Sequence, residues 1–268
     1  MSNEHVLEFA ALSDTGCVRE HNEDAIVVCA DYGCAILADG MGGYRAGEVA
    51  SAMTTQVIAD YLCSKLDTAW LTKLGLPRLK LSRWMVDAIE LANRHVLYSS
   101  QTNAECYGMG TTVVLACCSQ DKLLLAHVGD SRAYRFRDNK LTCLTHDHSV
   151  LQEQLDAGLV TEEQARFSSI KNLITRAVGT QESVSVELHT HDLKEQDLYM
   201  LCSDGLTDML SHDEIQLILQ HSSDDLSLCS KALVANANAA GGVDNTSVVL
   251  FKVHAIRNLS WLQRLMVR

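Results

Sequence analysis

Four aspartates of the chain lie beside glycines or tight turns at the ends of apolar, strand-like runs. Asp39, Asp130 and Asp204 follow such runs, and Asp244 follows a Gly-Gly turn and precedes one. Because the ends of neighbouring strands meet at one rim of a sheet, these carboxylates can converge. Closely packed carboxylates stay ionised together only when cations neutralise them. Carboxylates without a matching set of His or Cys ligands indicate a Mg²⁺ or Mn²⁺ site.

Each aspartate taken alone is also typical of a turn or a helix cap. Repetition of the same setting four times favours the metal site over that interpretation. Spacing adds a further indication in SDGLTDML, where Asp204 and Asp208 are four residues apart. If this segment turns helically, both carboxylates lie on one face.

The glycines of ADGMGGYRAG (residues 38–47) allow a second interpretation, a loop that holds a nucleotide phosphate at a helix N-terminus. The segment lacks the Lys-Ser/Thr of a P-loop and does not match Gly-x-Gly-x-x-Gly. We therefore interpret it as a metal-holding turn, in which glycine lets the Gly40 carbonyl approach an ion.

The elements that position these residues follow from hydrophobic periodicity. Strands are predicted at 25–30, 33–38, 111–118, 122–131, 132–137, 140–145, 183–190, 197–203 and 246–253, and helices at 46–66, 84–96, 212–220 and 225–239. Residues 149–180 are polar and mixed, which indicates short helices and a mobile loop. Strand blocks interrupted by helix pairs predict an α+β sandwich.

Composition narrows the class of protein. The chain has 268 residues with one proline and no linker-like segment, which favours a single domain. It has no apolar run of the ~20 residues that a membrane span needs and no signal-like N-terminus, so we expect a cytoplasmic protein with no membrane span. The net charge of -12 argues against nucleic-acid binding. Ten scattered cysteines without Cys-x-x-Cys are expected to be small buried hydrophobes.

These residues fall within eight ordered motifs that span residues 14–253, nearly the whole chain. The motifs are GCVREHNEDA (16–25), ADGMGGYRAGEVAS (38–51), GMGTT (108–112), VGDSRAY (128–134), LTHDHS (144–149), LITRAVG (173–179), CSDGLTD (202–208) and GGVDNTSVV (241–249). Together they resemble the metal-dependent Ser/Thr protein phosphatases of the PP2C (PPM) type in their short bacterial form. The resemblance implies a four-layer αββα sandwich of two antiparallel sheets flanked by helix pairs. It places the phosphatase domain at 1–254, with a flap at about 149–180 and an amphipathic tail at 255–268.

The same resemblance implies roles for individual residues. Asp39 would bridge two metal ions, with Asp204 and Asp244 completing the first ion and the Gly40 carbonyl facing the second. Glu23 and Asp24 would support this pair of ions, and Asp130, Asp204 and Asp208 would hold a third ion. Arg19 would bind the substrate phosphate. Arg19 taken alone is more typical of a solvated surface residue. A two-metal site can supply a hydroxide at neutral pH and neutralise the phosphoryl oxygens. We therefore predict direct attack of a metal-bridging hydroxide on phosphorus, without a phosphoenzyme.

The implied reaction is hydrolysis of phosphoserine and phosphothreonine in proteins, opposing a bacterial Ser/Thr kinase, by a monomer. The alternative is a phosphatase-like scaffold protein that no longer catalyses hydrolysis.

Met41 occupies the position at which animal members of the family carry a His that is proposed as the general acid, so the general acid of this protein is unassigned. His21, His146 and His148 are expected to be ordinary polar or capping residues. In the flap, Ser168-Ser169 replace the usual His-Pro. The tail is expected to pack on its own domain rather than on a partner or an anionic membrane.

Overall fold

The computed structural model describes residues 5–42, 46–67, 77–165, 170 and 173–256. Its strands are β1 (His5–Asp14), β2 (Asp24–Cys29), β3 (Cys34–Met41), β4 (Gly110–Thr111), β5 (Val113–Ser119), β6 (Lys122–Val128), β7 (Arg132–Arg137), β8 (Lys140–Cys143), β9 (Glu187–Asp192), β10 (Leu198–Cys202) and β11 (Thr246–Ile256). Its helices are α1 (Ala46–Leu66), α2 (Pro77–Thr102), α3 (Val150–Asp156), α4 (Glu162–Ala165), α5 (Asp204–Thr207), α6 (His212–Ser222) and α7 (Leu226–Ala239).

Two antiparallel sheets form the centre of the molecule. The first has five strands in the order β1-β11-β10-β7-β8, and the second has the order β2-β3-β5-β6-β9, with β4 attached to β3. Tight turns at Gln120 and at Asp138-Asn139 connect consecutive strands, and all three residues have positive φ. Asn and Asp accept this left-handed conformation more readily than most residues, which explains the predicted turn at 138–139.

Three hydrophobic cores separate four layers. Helices α1 and α2 pack on the outer face of the second sheet, and Ile58 of α1, Met85 of α2 and Ile36 of β3 belong to one hydrophobic core. Helices α6 and α7 cover the first sheet in the same way. Between the sheets, alternate residues of the same strands meet, so Leu37 of β3 lies in one cluster with Phe251 of β11. Strands buried on both faces have continuous apolar sequences, and this is why the central strands were predictable.

The predicted fold class is confirmed, and several element boundaries differ. Strand β1 was missed, although it pairs with β11 along its whole length. It is an edge strand with weak alternation in its sequence, so its pairing with β11 rather than its own pattern determines its structure. Helix α2 begins at Pro77, earlier than the predicted residue 84, because proline is well suited to the first helical turn. Strand β9 begins at Glu187, later than predicted.

The prediction of buried cysteines holds for six of the ten, and all ten are free thiols. The buried ones are Cys34, Cys106, Cys117, Cys118, Cys202 and Cys229. The others, Cys17, Cys29, Cys63 and Cys143, are half-buried or exposed.

Some of the predictions concern the flap and the C-terminal tail. Ser168-Ser169 of the flap and all but the first two residues of the tail 255–268 lie outside the described residues. Within the flap, α3 and α4 are helical, as predicted. None of the helices among the described residues is long and apolar enough to span a bilayer.

Candidate active site

Asp39 lies inside strand β3, where it is the direct antiparallel partner of Asp24 on β2. Its N–H donates to Thr112 Oγ1 at 3.1 Å, and its carbonyl accepts from the Thr112 N–H at 2.8 Å and from Thr111 Oγ1 at 2.7 Å. The predicted turn is therefore wrong, because this segment is part of a strand, whereas its role in holding a metal stays a prediction. The strand continues past the apolar run because Gly40 and Met41 pair with β4, so the carboxylate is carried by a rigid element.

Gly40 allows β3 to pack directly on the start of α1. A Cβ added at this position would lie 2.1 Å from the Gly47 carbonyl oxygen and 2.6 Å from the Glu23 carbonyl oxygen. Its N–H donates to the same Glu23 carbonyl at 3.0 Å. The requirement for glycine thus comes from backbone packing. That its carbonyl faces an ion stays a prediction.

Asp24 has one satisfied and one orphaned carboxylate oxygen. Oδ2 accepts from the Ser203 hydroxyl at 2.8 Å, and Ser203 Oγ in turn accepts from the Ser247 N–H at 2.9 Å. Oδ1 is buried and has no hydrogen-bond partner in the part of the chain that the structure describes. A buried carboxylate oxygen without a donor is costly, and a cation nearby would remove that cost.

Neighbouring carboxylates further increase the free-energy cost of ionising Asp24. Burial, opposed by hydrogen bonds from Ser247 and Ser203 and assisted by the charges of Asp204 and Asp244, raises the pKa of Asp24 from 3.8 to about 7. Burial and the charge of Asp204 raise the pKa of Asp130 to about 7 as well.

Asp39 lies at the centre of this repulsion. Burial and the charges of Asp24, Asp204 and Asp130 raise its pKa well above its ordinary value. The set therefore cannot be fully ionised by itself, and its chemistry fits divalent cations with oxygen ligands.

Arg19 contacts the cluster through Asp244. Its Nη2 donates to Asp244 Oδ2 at 2.6 Å, while the Asn245 N–H donates to Asp244 Oδ1 at 2.8 Å. The arginine side chain is 52% exposed, so it stands at the open side of the site. Burial raises the pKa of Glu23, the neighbouring carboxyl group, although Arg19 opposes that effect.

Asn245 holds the loop that carries Arg19 and Glu23, and sequence reasoning assigned it no role. Its Oδ1 accepts from the Glu23 N–H at 2.7 Å, and its Nδ2 donates to the Thr15 and His21 carbonyls, both at 2.9 Å. The side chain is buried. A short amide beside Asp244 at the start of a strand was the available signal, but its partners are more than 200 residues away in sequence.

The structure brings most of the predicted site together. Electrostatic interactions link Arg19, Glu23, Asp24, Asp39, Asp130, Asp204 and Asp244. Asp208 follows α5 at its C-terminus, where its N–H donates to the Asp204 carbonyl at 2.7 Å, so the predicted helical turn is present. The assignment of each residue to an ion stays a prediction.

Comparisons with known proteins agree with this geometry. The serine/threonine phosphatase stp of Listeria monocytogenes serotype 4b (strain F2365) is 36% identical over 241 residues, which cover 89% of this chain and 92% of the relative. The crystal structure of the Mycobacterium tuberculosis serine/threonine phosphatase PstP/Ppp superposes with a TM-score of 0.84 at 33% identity, covering 93% of this chain and 99% of that one.

A solved structure of the catalytic domain of the serine/threonine protein phosphatase PstP in complex with two manganese ions has a TM-score of 0.81 at 32% identity, covering 93% and 99% of the two chains. The family model "Protein phosphatase 2C" matches residues 13–246. Since this match spans most of the chain and includes every residue of the carboxylate cluster, the chain belongs to the protein phosphatase 2C family.

Proposed function

We propose that this protein is a metal-dependent phosphatase that hydrolyses phosphoserine and phosphothreonine in proteins. The observation that carries the proposal is the convergence of Asp24, Asp39, Asp130 and Asp204, whose mutual repulsion and burial call for cations. Membership of the protein phosphatase 2C family and the names of the relatives support the reaction and the substrate class.

Two Mn²⁺ or Mg²⁺ ions would be held by the core of this cluster. Asp39 would bridge them, Asp204 and Asp244 would complete the first, and the Gly40 carbonyl would contact the second, with Glu23 and Asp24 in support. Asp130, Asp204 and Asp208 would hold a third ion. Bound ions would neutralise the phosphoryl oxygens and lower the pKa of water to near neutrality. Direct attack by water on phosphorus, with no phosphoenzyme, is part of the proposal.

Arg19 has the chemistry and the position to bind the substrate phosphate. Its guanidinium is permanently charged and can make two parallel hydrogen bonds to phosphate oxygens. In the structure it is bound to Asp244. Substrate binding would therefore exchange this carboxylate for a phosphate, and an ion on Asp244 would favour the exchange by competing for the same oxygen.

The leaving alkoxide needs a proton, and Met41 cannot donate one. The acid therefore stays unassigned. An opposing Ser/Thr kinase, a cytoplasmic location, a monomeric state and the domain limits 1–254 belong to the same proposal and rest on the sequence.

The direct test compares the wild type with Asp39→Asn and Asp60→Asn. Asp60 is an exposed carboxylate on α1 that accepts from Gln56 Nε2 at 2.8 Å, so it controls for the loss of a charge. Calorimetric titration with Mn²⁺ and hydrolysis of a phosphothreonine peptide are measured in parallel. We expect Asp39→Asn to lose both Mn²⁺ binding at the cluster and hydrolysis, and Asp60→Asn to retain both.

The two measurements separate the competing functions. Mn²⁺ binding without hydrolysis in the wild type would favour the phosphatase-like scaffold. Unchanged Mn²⁺ binding and hydrolysis in Asp39→Asn would contradict the assignment of the metal site itself.

A further inference from the structure

Three histidines and a glutamate form a second cluster at the β6–β9 edge of the second sheet. His127 on β6 is the register partner of Glu187 on β9, and His189 lies on the same face of β9 as Glu187. The ring of His127 stacks on His148 at 4.7 Å and on His189 at 5.8 Å between centroids. The carboxylates of the candidate active site are not members of this cluster.

His127 presents an unused ligand atom. Its ring is fully buried, and its Nε2 lies 2.9 Å from the His146 carbonyl oxygen, which can only accept. The Nε2 therefore carries the proton, and Nδ1 is buried with no hydrogen-bond partner among the described residues. Burial lowers the pKa of His127 to about 4, so the ring is neutral near pH 7 and Nδ1 keeps its lone pair. A carbonyl bonded to one ring nitrogen is the usual support of a histidine metal ligand.

Glu187 and His189 complete a set of three ligands. One ligand atom from each of His127, Glu187 and His189 already lies within 4.8 Å of the others. Two ligands of one ion with bonds near 2.1 Å can be at most about 4.2 Å apart, so the three side chains lie near the spacing that a single ion requires. Glu187 and His189 side chains are each 31% exposed, which leaves a path for entry and room for the imidazole of His189 to turn.

His148 orients the carboxylate of this set. Its Nδ1 accepts from the Gly129 N–H at 3.1 Å, so in the neutral ring its Nε2 carries the proton and can donate to Glu187 Oε2 at 3.0 Å. Arg176 Nη1, which is also a donor, lies 3.2 Å from the same Nε2. The other oxygen, Oε1, accepts from His189 Nε2 at 2.8 Å. A cation would replace this last proton, while His148 would continue to hold Oε2.

We propose that His127 Nδ1, the Glu187 carboxylate and His189 Nε2 form a second metal site, separate from the carboxylate cluster, for a borderline divalent cation such as Zn²⁺. Two imidazoles and one carboxylate with an open fourth position are a ligand set that Zn²⁺ favours. Mg²⁺ prefers oxygen ligands and is expected to bind there poorly. The inference rests on this cluster alone and does not depend on the proposed phosphatase activity.

The site borders the active site through one turn. His148 pairs with Gly129 in both directions, since its own N–H donates to the Gly129 carbonyl at 3.0 Å. Gly129 directly precedes Asp130, which belongs to the carboxylate cluster. A cation that fixes Glu187 and His148 would therefore also fix the turn that carries Asp130.

The test measures binding of Zn²⁺ to the full chain after removal of metals, by equilibrium dialysis and by the visible spectrum of Co²⁺ as a substitute. His189→Ala and Glu187→Gln change partly exposed residues and are expected to fold. The control is His254→Ala, because His254 Nε2 pairs with Glu8 Oε2 at 2.7 Å on the other sheet, a similar pair of side chains. Circular dichroism verifies folding of each variant.

We expect the wild type, His254→Ala and Asp39→Asn to bind Zn²⁺ with equal affinity at this site. His189→Ala and Glu187→Gln should bind it at least ~10-fold more weakly and lose the imidazole-type Co²⁺ spectrum. Equal Zn²⁺ binding by His189→Ala, Glu187→Gln and the wild type would overturn the proposal. So would a loss of Zn²⁺ confined to Asp39→Asn, which would assign the ion to the carboxylate cluster.

Discussion

Asp24→Asn should change how the stability of the metal-free protein depends on pH. The carboxyl group of Asp24 has a pKa of about 7 in the folded chain, because of burial and neighbouring carboxylates, against an ordinary value of 3.8. Between these values the folded state binds more protons than the unfolded state, so this group lowers the free energy of unfolding as pH rises. Below pH 3.8 it has no effect, and above about 7 its cost is constant.

The magnitude follows from the two pKa values. At about 1.4 kcal/mol for each pH unit, their difference corresponds to at most about 4 kcal/mol. The value is an upper limit because Asp24 and Asp130 both interact with Asp204 and share its repulsion. Asparagine keeps an acceptor for the Ser203 hydroxyl but buries an unpartnered amide, which costs roughly 1–3 kcal/mol at every pH. That offset cancels when the change with pH is compared.

The assay is urea unfolding in EDTA at a series of pH values from 4 to 8. The difference in free energy of unfolding, Asp24→Asn minus wild type, should rise by up to about 4 kcal/mol between the ends of the series. The control is Asp156→Asn, because hydrogen bonds from Gln152 and His146 lower the pKa of Asp156, so its carboxylate stabilises the fold above its ordinary pKa. Because the pKa of Asp156 is lowered, its contribution changes with pH only below the ordinary value of 3.8, and that control should show a nearly constant difference from pH 4 to 8.

Saturating Mn²⁺ should flatten the wild-type profile, since an ion then replaces the proton that the folded state otherwise binds. A difference that is constant or falls with pH in EDTA would refute the account of the cluster as a set of mutually repelling carboxylates that requires cations.

Three further substitutions test parts of the site. Arg19→Ala should lower kcat/KM for a phosphothreonine peptide at least ~10-fold, mainly through KM, because a charged hydrogen-bonding group is worth roughly 1.5–3 kcal/mol; an unchanged KM would contradict its role in binding. Asn245→Ala leaves the Glu23 N–H and two carbonyls without their partner, so urea unfolding should show a loss of roughly 3 kcal/mol. Gly205→Ala places a Cβ 2.0 Å from the Asn245 carbonyl oxygen and should cost about 3 kcal/mol. The matched control Gly108→Ala has open space at φ +73 and should cost only about 1 kcal/mol; equal losses in the two glycine variants would show that close packing is not the cause.

The local hydrophobic pattern was sufficient to predict the strands that are buried on both faces. In β5, Val113 and Leu115 belong to the core under the helices, while Val114 belongs to the core between the sheets. Every residue of such a strand must be apolar, and this produces an unmistakable run in the sequence. Strand β1 has no comparable signal, because it lies at the edge of its sheet and its apolar residues are partly buried.

The candidate site shows the same division between local and long-range information. The sequence indicated Asp39, but it could not show that β3 extends through this residue, since β4, which extends it, lies about 70 residues later. Local sequence does not predict the role of Asn245, because its three partners are loop backbone groups near the N-terminus.

The histidine cluster also combines a local sequence signal with long-range contacts that the sequence does not show. The alternation Glu187, His189, His191 places three polar side chains on one face of β9, which is a local signal for an unusual strand. Their significance depends on His127, about 60 residues earlier, and on the protonation that the His146 carbonyl imposes on its ring. A half-buried strand normally hides apolar residues on its inner face, so polar residues there need partners from elsewhere in the fold. Sequence spacing can reveal such a face, but only the sheet register identifies the ligands that it meets.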